Sequence, residues 1–340
     1  MNNTQDTILD GIDPEIMDRL VTRREAIKKG ATVSSMVAAG MAMGSVPVML
    51  AALTKDAYAQ APSDILDALQ FAFILENLEN EFYRAVLGTS AVAAQNTAFN
   101  TVRALIPASA VATFTQIQKH EQQHADFLRT VAIPLFGGTA PTITANDFDF
   151  TGGNGSGTGP FARATTELDF LLLSAQAFED TGVRAYKGQA GRFLIAGNAN
   201  ADTALESALR IHSVEARHAS KIRRIRRSRN TADTTLRLSG YVLGSGVSAA
   251  GAGNVASPPP EVVAALNLIY GGEANTTHTV NNGSADVPIN AATLTGLDTI
   301  GDATARSNAA QMAFDEPLTK AEVINIVKGF IKDDATRGLP

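Results

Sequence analysis

Two short words constrain this chain more than anything else in it. Glu121-x-x-His124 lies in the run QKHEQQHADFLRTV, and Glu215-x-x-His218 lies in IHSVEARHASKIRR. Both runs have a helical pattern, and a helix stacks residues three apart on one face, one turn above the other. Each word therefore offers a carboxylate oxygen and an imidazole nitrogen to a single point. Two such helices, face to face, could hold two metal ions.

Composition narrows the chemistry. The chain has no Cys, so disulfides, thiolate catalysis, Fe–S clusters and Cys-type zinc sites are excluded. A metal would have to take N and O ligands, which suits Fe, Mn, Zn or Cu. Of the five histidines, His120, His124, His212 and His218 fall in the two runs just quoted, and only His278 lies elsewhere, in a polar stretch. A net charge of −6 argues against a nucleic-acid partner. With 340 residues and 45% hydrophobic content, the chain can bury a sizeable core.

The first part of the chain reads as a leader. Thr22-Arg23-Arg24-Glu25-Ala26-Ile27-Lys28 precedes a weakly apolar run from about residue 30 to 53, and Ala57-Tyr58-Ala59 follows. That order is a charged region, an apolar region and a small-residue cleavage site. The paired arginines resemble a twin-arginine export signal, with Ala26 where that motif usually has Phe. The expectation is a Tat-type signal peptide over residues 1–59, recognised by the Tat export machinery, and a periplasmic or other extracytoplasmic protein.

Four helical stripes follow. The first, from Ser63 to about Leu87, carries Leu69, Ala72, Glu76, Glu79 and Tyr83, with Ser63 or Asp64 as N-cap and Gly88 as stop. The second, from about Ser109 to Ala132, carries Phe114, Ile117, Glu121, His124, Leu128 and Val131 and should end at Pro134. The third, from about Phe161 to Gly188, carries Leu168, Leu172, Ala175, Glu179, Gly182 and Tyr186. The fourth, from about Ala201 to Arg229, carries Leu205, Ala208, Ile211, Glu215, His218, Ile222 and Ile225. Between the second and third, residues 133–160 have no helical period and include GGNGSGTG; a connection this long suits a crossover between two helix pairs. Beyond Asn230 the chain is rich in Gly, Ser and Ala. A short helix is expected over Glu261–Tyr270, irregular chain over 271–305 with a turn at Asn282-Gly283, and a capped helix over Asp315–Ile331. Residues 231–340 read as an extension packed on the bundle formed by residues 63–230.

The two halves share one grammar. Glu76 stands seven residues before Tyr83 and is followed by Glu121-x-x-His124; Glu179 stands seven before Tyr186 and is followed by Glu215-x-x-His218. One Glu from each of two helices and one Glu-x-x-His from each of the other two make up the donor set of two-metal carboxylate bundles. A single Glu-x-x-His is usually a solvated pair. Two of them, with two more carboxylates set in apolar stripes, favour metal, because unpaired buried carboxylates are costly. Glu79 is also on its stripe; Glu76 is preferred for its parallel with Glu179. His120 and His212 read as solvent-facing or supporting polar groups. The run Lys221–Arg229 reads as a solvated helix C-terminus matching the helix dipole, and Asp147/Asp149 as a half-buried extended segment rather than a calcium site.

On LENLENEFY (75–83), HEQQHADFLR (120–129), FEDTGVRAY (178–186), VEARHA (214–219) and AFDEPLTKAEV (313–323), the chain resembles the ferritin-like superfamily. More narrowly it is similar to exported ferritin-like-domain proteins related to plant desiccation-related proteins. The resemblance implies an all-α fold: a ferritin-like four-helix bundle with a long crossover between helices 2 and 3 and a partly irregular C-terminal extension. It implies bridging roles for Glu121 and Glu215, one metal on Glu76 and His124, the other on Glu179 and His218, and hydrogen bonds from Tyr83 and Tyr186 to site carboxylates. The expected cofactor is two Fe ions, with two Mn ions as the alternative, and O2 or peroxide as the reacting partner. A di-manganese catalase-like enzyme and a non-enzymatic protein of oxidative or desiccation stress stay open, as does a homo-oligomer.

Overall fold

The computed structural model describes residues 62–195, 197–229, 260–281, 286–294 and 301–332. The export signal, the Gly/Ser/Ala-rich stretch after Asn230 and the Asn282-Gly283 turn lie outside the described residues. Four long helices make the body: α1 (Pro62–Leu87), α2 (Ala108–Phe127), α3 (Leu168–Gln189) and α4 (Ala199–Arg229). Among the described residues, no helix is long and apolar enough to cross a membrane.

Side-chain pairs give the helix directions. Asn80 bonds Gln122 while Gly138 sits against Leu66, so α1 and α2 are antiparallel. Asp180 pairs with Arg223 and Asp169 with Arg229, so α3 and α4 are antiparallel. Tyr83 reaches Glu179 and Tyr186 reaches Glu76, so α1 and α3 also run oppositely. It follows that α2 and α3 are parallel. The chain must then travel the length of the bundle between them, roughly 30 Å for a helix of this size, and the connection between α2 and α3 is that crossover.

Local chemistry sets the helix ends. Asp64 lies in the first turn of α1, where a carboxylate suits the dipole. Gly88, at φ +80°, closes α1 as the Thr89 N–H donates to the Arg84 carbonyl. The end of α2 differs from the sequence expectation. Pro134 does not stop the helix: a π turn over Leu128–Ala132 leads into a last helical piece, Ile133–Leu135. The extra residue of a π turn shifts the register. Ala132 therefore faces inward at 2% exposure, and Val131, expected on the apolar stripe, is 47% exposed.

The start of α3 is also corrected, from about Phe161 to Leu168. Phe161 instead packs against Phe170 and Phe330 at the mouth of the Gly-rich loop. Asp149 organises that loop by accepting from the backbone N–H groups of Thr151, Gly155 and Gly157.

The extension covers α3. Helix α5 (Pro260–Ile269) buries Val262, Leu266 and Ile269. A hairpin of β1 (Thr277–Asn281) and β2 (Asp286–Asn290) occupies the stretch expected to be irregular, and a helix α6 (Ala303–Gln311) begins at its end. The terminal helix α7 (Lys320–Val327) is shorter than expected, because Thr319 and Glu322 form a capping box that starts it there. Residues 315–318 instead run extended beside α3, where the Leu318 N–H donates to the Arg184 carbonyl and Gly188 leaves room for the Leu318 backbone. Nearly every side chain of α3 is buried as a result. The apolar interior forms two blocks, one containing Phe82, Tyr83 and Phe114, the other Leu69, Leu128 and Phe193 with Tyr186 packed on it.

Candidate metal centre

The four long helices bring Glu76 (α1), Glu121 and His124 (α2), Glu179 (α3), and Glu215 and His218 (α4) together inside the bundle. Glu121, Glu179 and Glu215 are fully buried, Glu76 is 1% exposed and His218 4%. The donors fall into two overlapping groups, each with ligand atoms within 4.8 Å of one another. One is Glu76, Glu121, His124 and Glu215; the other is Glu121, Glu179, Glu215 and His218.

Glu121 and Glu215 belong to both groups because each splits its oxygens. His124 Nδ1 lies 3.1 Å from Glu121 Oε2 and 3.2 Å from Glu215 Oε1. His218 Nδ1 lies 2.8 Å from Glu121 Oε1 and 3.8 Å from Glu215 Oε2. The outer carboxylates serve one group each: Glu76 Oε2 is 3.1 Å from His124 Nδ1, and Glu179 Oε2 is 3.2 Å from His218 Nδ1. Each is held by the tyrosine of the other half. The Tyr83 hydroxyl donates to Glu179 Oε1, and the Tyr186 hydroxyl to Glu76 Oε1.

The residues fit a pair of cations. Glu121 Oε1, Glu179 Oε2, both oxygens of Glu215 and His218 Nδ1 are buried, meet only one another and His124 in ion-pair contacts, and receive no hydrogen bond from outside the cluster. Orphaned buried polar atoms are rare in native proteins, and a set of them aimed at one place is explained by a bound ion. The protonation balance of the protein alone points the same way. Burial, with the charge of Glu215, pushes Glu121 well above the usual carboxylate range. Burial raises Glu179 to about 7 against the pull of His218. The imidazoles of His124 and His218 are buried, yet the surrounding carboxylates hold them protonated far above their ordinary value. Glu215 alone is held low, at about 2, because contact with both imidazoles outweighs its burial. The cluster draws protons because it lacks positive charge.

Several supporting residues were not identified as such by the sequence. Glu79 is 5% exposed and is pushed well above the carboxylate range by burial and by Glu215, Glu179, Glu121 and Glu76. It falls in neither donor group. Gly182 makes room for it: a Cβ there would lie 3.3 Å from both Glu79 Oε1 and Glu215 Oε2. A Gly inside a helix costs about 1 kcal/mol, and that Gly182 sits one turn beyond Glu179 was the available signal. His120 takes the supporting place rather than the solvent-facing one. Its Nδ1 lies 2.9 Å from His218 Nε2, its ring stacks on His218, and its Nε2 meets the Gln116 amide. This contact on Nε2 turns His218 Nδ1 toward the carboxylates. His212 is half-buried with Nε2 unpartnered, and burial with the nearby Lys187 lowers it to about 4.

The basic run is a solvated end only in part: Lys221, Arg227 and Arg229 are exposed, while Arg223 and Arg226 turn inward. Arg226 is fully buried and donates to Gln176, Arg223 pairs with Asp180, and Tyr270 of the extension donates to Asp180. Side-chain partners on α3 and the extension, invisible to local spacing, offset part of the cost of this burial.

Residues 64–228 match a family model described as a ferritin-like domain. The match spans all four long helices and every donor above, so the bundle is a ferritin-like helical domain. No curated protein and no solved structure matches the chain.

Proposed function

We propose that this chain is a di-metal carboxylate protein whose bundle holds two iron ions and reacts with dioxygen or peroxide. The observation that carries the reading is the split of Glu121 and Glu215, each sending one oxygen toward each histidine. Two ferrous ions there would supply two electrons together to one oxidant molecule, without release of a one-electron product.

The protein's own groups do the rest. Glu76, Glu121, Glu179 and Glu215 carry four negative charges against two neutral imidazoles, which balances two divalent ions. Tyr83 and Tyr186 restrain one oxygen of each outer carboxylate and leave the other free to turn inward. His120 holds the ring of His218 in place through its contact with Nε2. Glu79, pushed well above the carboxylate range by burial and by the carboxylates around it, is the group placed to hold a proton at the edge of the site. The apolar blocks above and below exclude bulk water, so charge interactions in the site are strong.

The test is iron loading. Mature protein should take up two Fe(II) per chain and oxidise them on exposure to oxidant. A Glu121→Ala, Glu215→Ala double variant should bind neither ion with comparable affinity. Unchanged uptake and oxidation in that variant would defeat the reading. Manganese uses the same donors, and oxygen evolution from peroxide by Mn-loaded but not Fe-loaded protein would replace iron by manganese. Loss of neither structure nor stability on chelation, with no metal in protein from its own host, would favour a purely structural role.

The export signal belongs to this proposal too. A twin-arginine leader suits a protein that folds around its metals before export. Arg23→Lys with Arg24→Lys should hold the chain in the cytoplasm, and an unchanged distribution between fractions would remove that element.

A further inference from the structure

The two halves of the bundle repeat their donors but not their packing. In the first half Tyr83 is flanked by Phe82, with ring centroids 5.2 Å apart, and by Phe114 at 5.6 Å. In the repeated frame Ala185 stands before Tyr186 as Phe82 stands before Tyr83, and Ala208 stands seven residues before Glu215 as Phe114 stands seven before Glu121. Two phenylalanines on one side are thus two alanines on the other. The missing volume is visible. A cavity of about 30 Å³, lined by Ala72, Leu128, Ala185, Tyr186 and Ala208 among others, lies on the Tyr186 side. The π turn that carries Leu128 and Ala132 forms part of its wall.

One polar side chain in the wall is unusual. Gln189, three residues after Tyr186 where Val86 follows Tyr83, lines the cavity, is 7% exposed, and has no hydrogen-bond partner at either amide atom. Its amide atoms are themselves buried, so the surface that faces the cavity is almost wholly apolar.

We propose that this cavity is a binding site for dioxygen, which enters from the Tyr186 side and reaches the metal pair past Glu76; the proposal rests on the di-iron reading above. Size and polarity select the occupant. One water needs roughly 10–15 Å³ of such space, so the cavity takes a diatomic and excludes larger molecules. Water and peroxide need several hydrogen bonds, and each group left unmade costs about 2 kcal/mol or more. The wall offers them almost no polar surface. Dioxygen is apolar, accepts one weak hydrogen bond and loses nothing on leaving water for alkyl walls. The position is functional: Tyr186 lines the cavity with its ring and binds the carboxylate of Glu76 with its hydroxyl. The Tyr83 side is filled with phenylalanine, so the port is one-sided.

Crystals of the full chain pressurised with xenon test the site without any metal chemistry. Xenon should seat between Ala208, Leu128 and Gln189, and Ala208→Phe, which copies the other half, should abolish it. In Fe(II)-loaded protein the same variant should slow oxidation by dioxygen roughly tenfold, about 1.4 kcal/mol of added barrier, and leave oxidation by added peroxide unchanged. Ala208→Leu, a smaller filling, should give an intermediate slowing and guards against misfolding of the larger change. Ordered water in place of xenon, or equal slowing with both oxidants, overturns the port. Iron oxidised normally with no xenon bound overturns the port and leaves the di-iron reading standing. Xenon bound with iron oxidised by neither oxidant upholds the gas cavity and overturns the di-iron reading.

Discussion

Helices α3 and α4 bury charge at two places along the same interface, and the two places solve the problem in opposite ways. Toward the C-terminal end of α4, Asp180 pairs with Arg223 and accepts from Tyr270, while Arg226 donates to Gln176, whose amide donates in turn to Tyr270. The cluster contains its own cations, and its carboxylate and amide oxygens have partners. Directly beside it, with Glu179 next to Asp180 in the chain, Glu179, Glu215 and His218 join Glu76, Glu121 and His124 with no Arg or Lys among them, and five of their polar atoms meet no group outside the set. Burial is the same in both. The difference teaches that the acidic cluster is built for a cation that comes from outside, since the fold shows beside it how such charge is neutralised from within.

The largest effect should separate the two clusters. Asp180→Ala removes the carboxylate that pairs with Arg223 and takes an acceptor from Tyr270 in a buried network, so unfolding free energy should fall by about 3–5 kcal/mol. The loss should be the same with and without metal. A chemical denaturation series on both forms checks this. If added metal restores the lost stability, the two clusters are coupled and the comparison fails.

The next effect is pH dependence, and it should appear in one cluster only. In metal-free protein Glu179 is raised to about 7 from an ordinary 4.5, and Glu121 is pushed well above the carboxylate range by burial and by Glu215. A carboxyl with a raised folded value gives stability that is complete below the unfolded value and is lost as pH climbs through the folded one. His124 and His218, protonated in the fold, add stability that begins to fall above about 6.5, in the same direction. Glu215, held low at about 2, changes nothing in this window. Metal-free protein should therefore be more stable at pH 5 than at pH 7.5, by about one to a few kcal/mol. Metal requires deprotonated donors, so the loaded protein should show the reverse slope. Parallel slopes in the two forms would mean that metal does not bind at these carboxylates.

How much of this was legible before the structure follows from what kind of contact each feature uses. The donor words, the tyrosines and the four helices rest on spacing within one helix, and spacing is visible in a sequence. Glu79 and Gly182 were in plain view on their stripes, but their meaning depends on Glu215 from another helix. Arg223 and Arg226 were misread because their partners Asp180 and Gln176 lie on α3, more than forty residues away. Pro134 was misread as a stop because local rules do not foresee a π turn that accommodates a residue without an N–H. The hairpin and α6 have weak local patterns and short lengths, the hardest case for periodicity.

The smallest effect bears on the symmetry of the site itself. Tyr83→Phe and Tyr186→Phe each remove one hydroxyl from an outer carboxylate, and each should cost about 1 kcal/mol of stability. The two losses should not have the same character. Tyr83 is fully buried, and Phe82 and Phe114 press on its ring, so Phe should keep the packing and Glu179 should lose one restraint only. Tyr186 borders the cavity, so Glu76, once released, has space to turn into. Iron affinity should therefore fall more in Tyr186→Phe than in Tyr83→Phe, although the hydrogen bond removed is equivalent. Titration of Fe(II) into each variant under argon measures this directly. Equal losses would mean that the open side does not loosen the carboxylate beside it, and that the asymmetry of packing stops at the tyrosine ring.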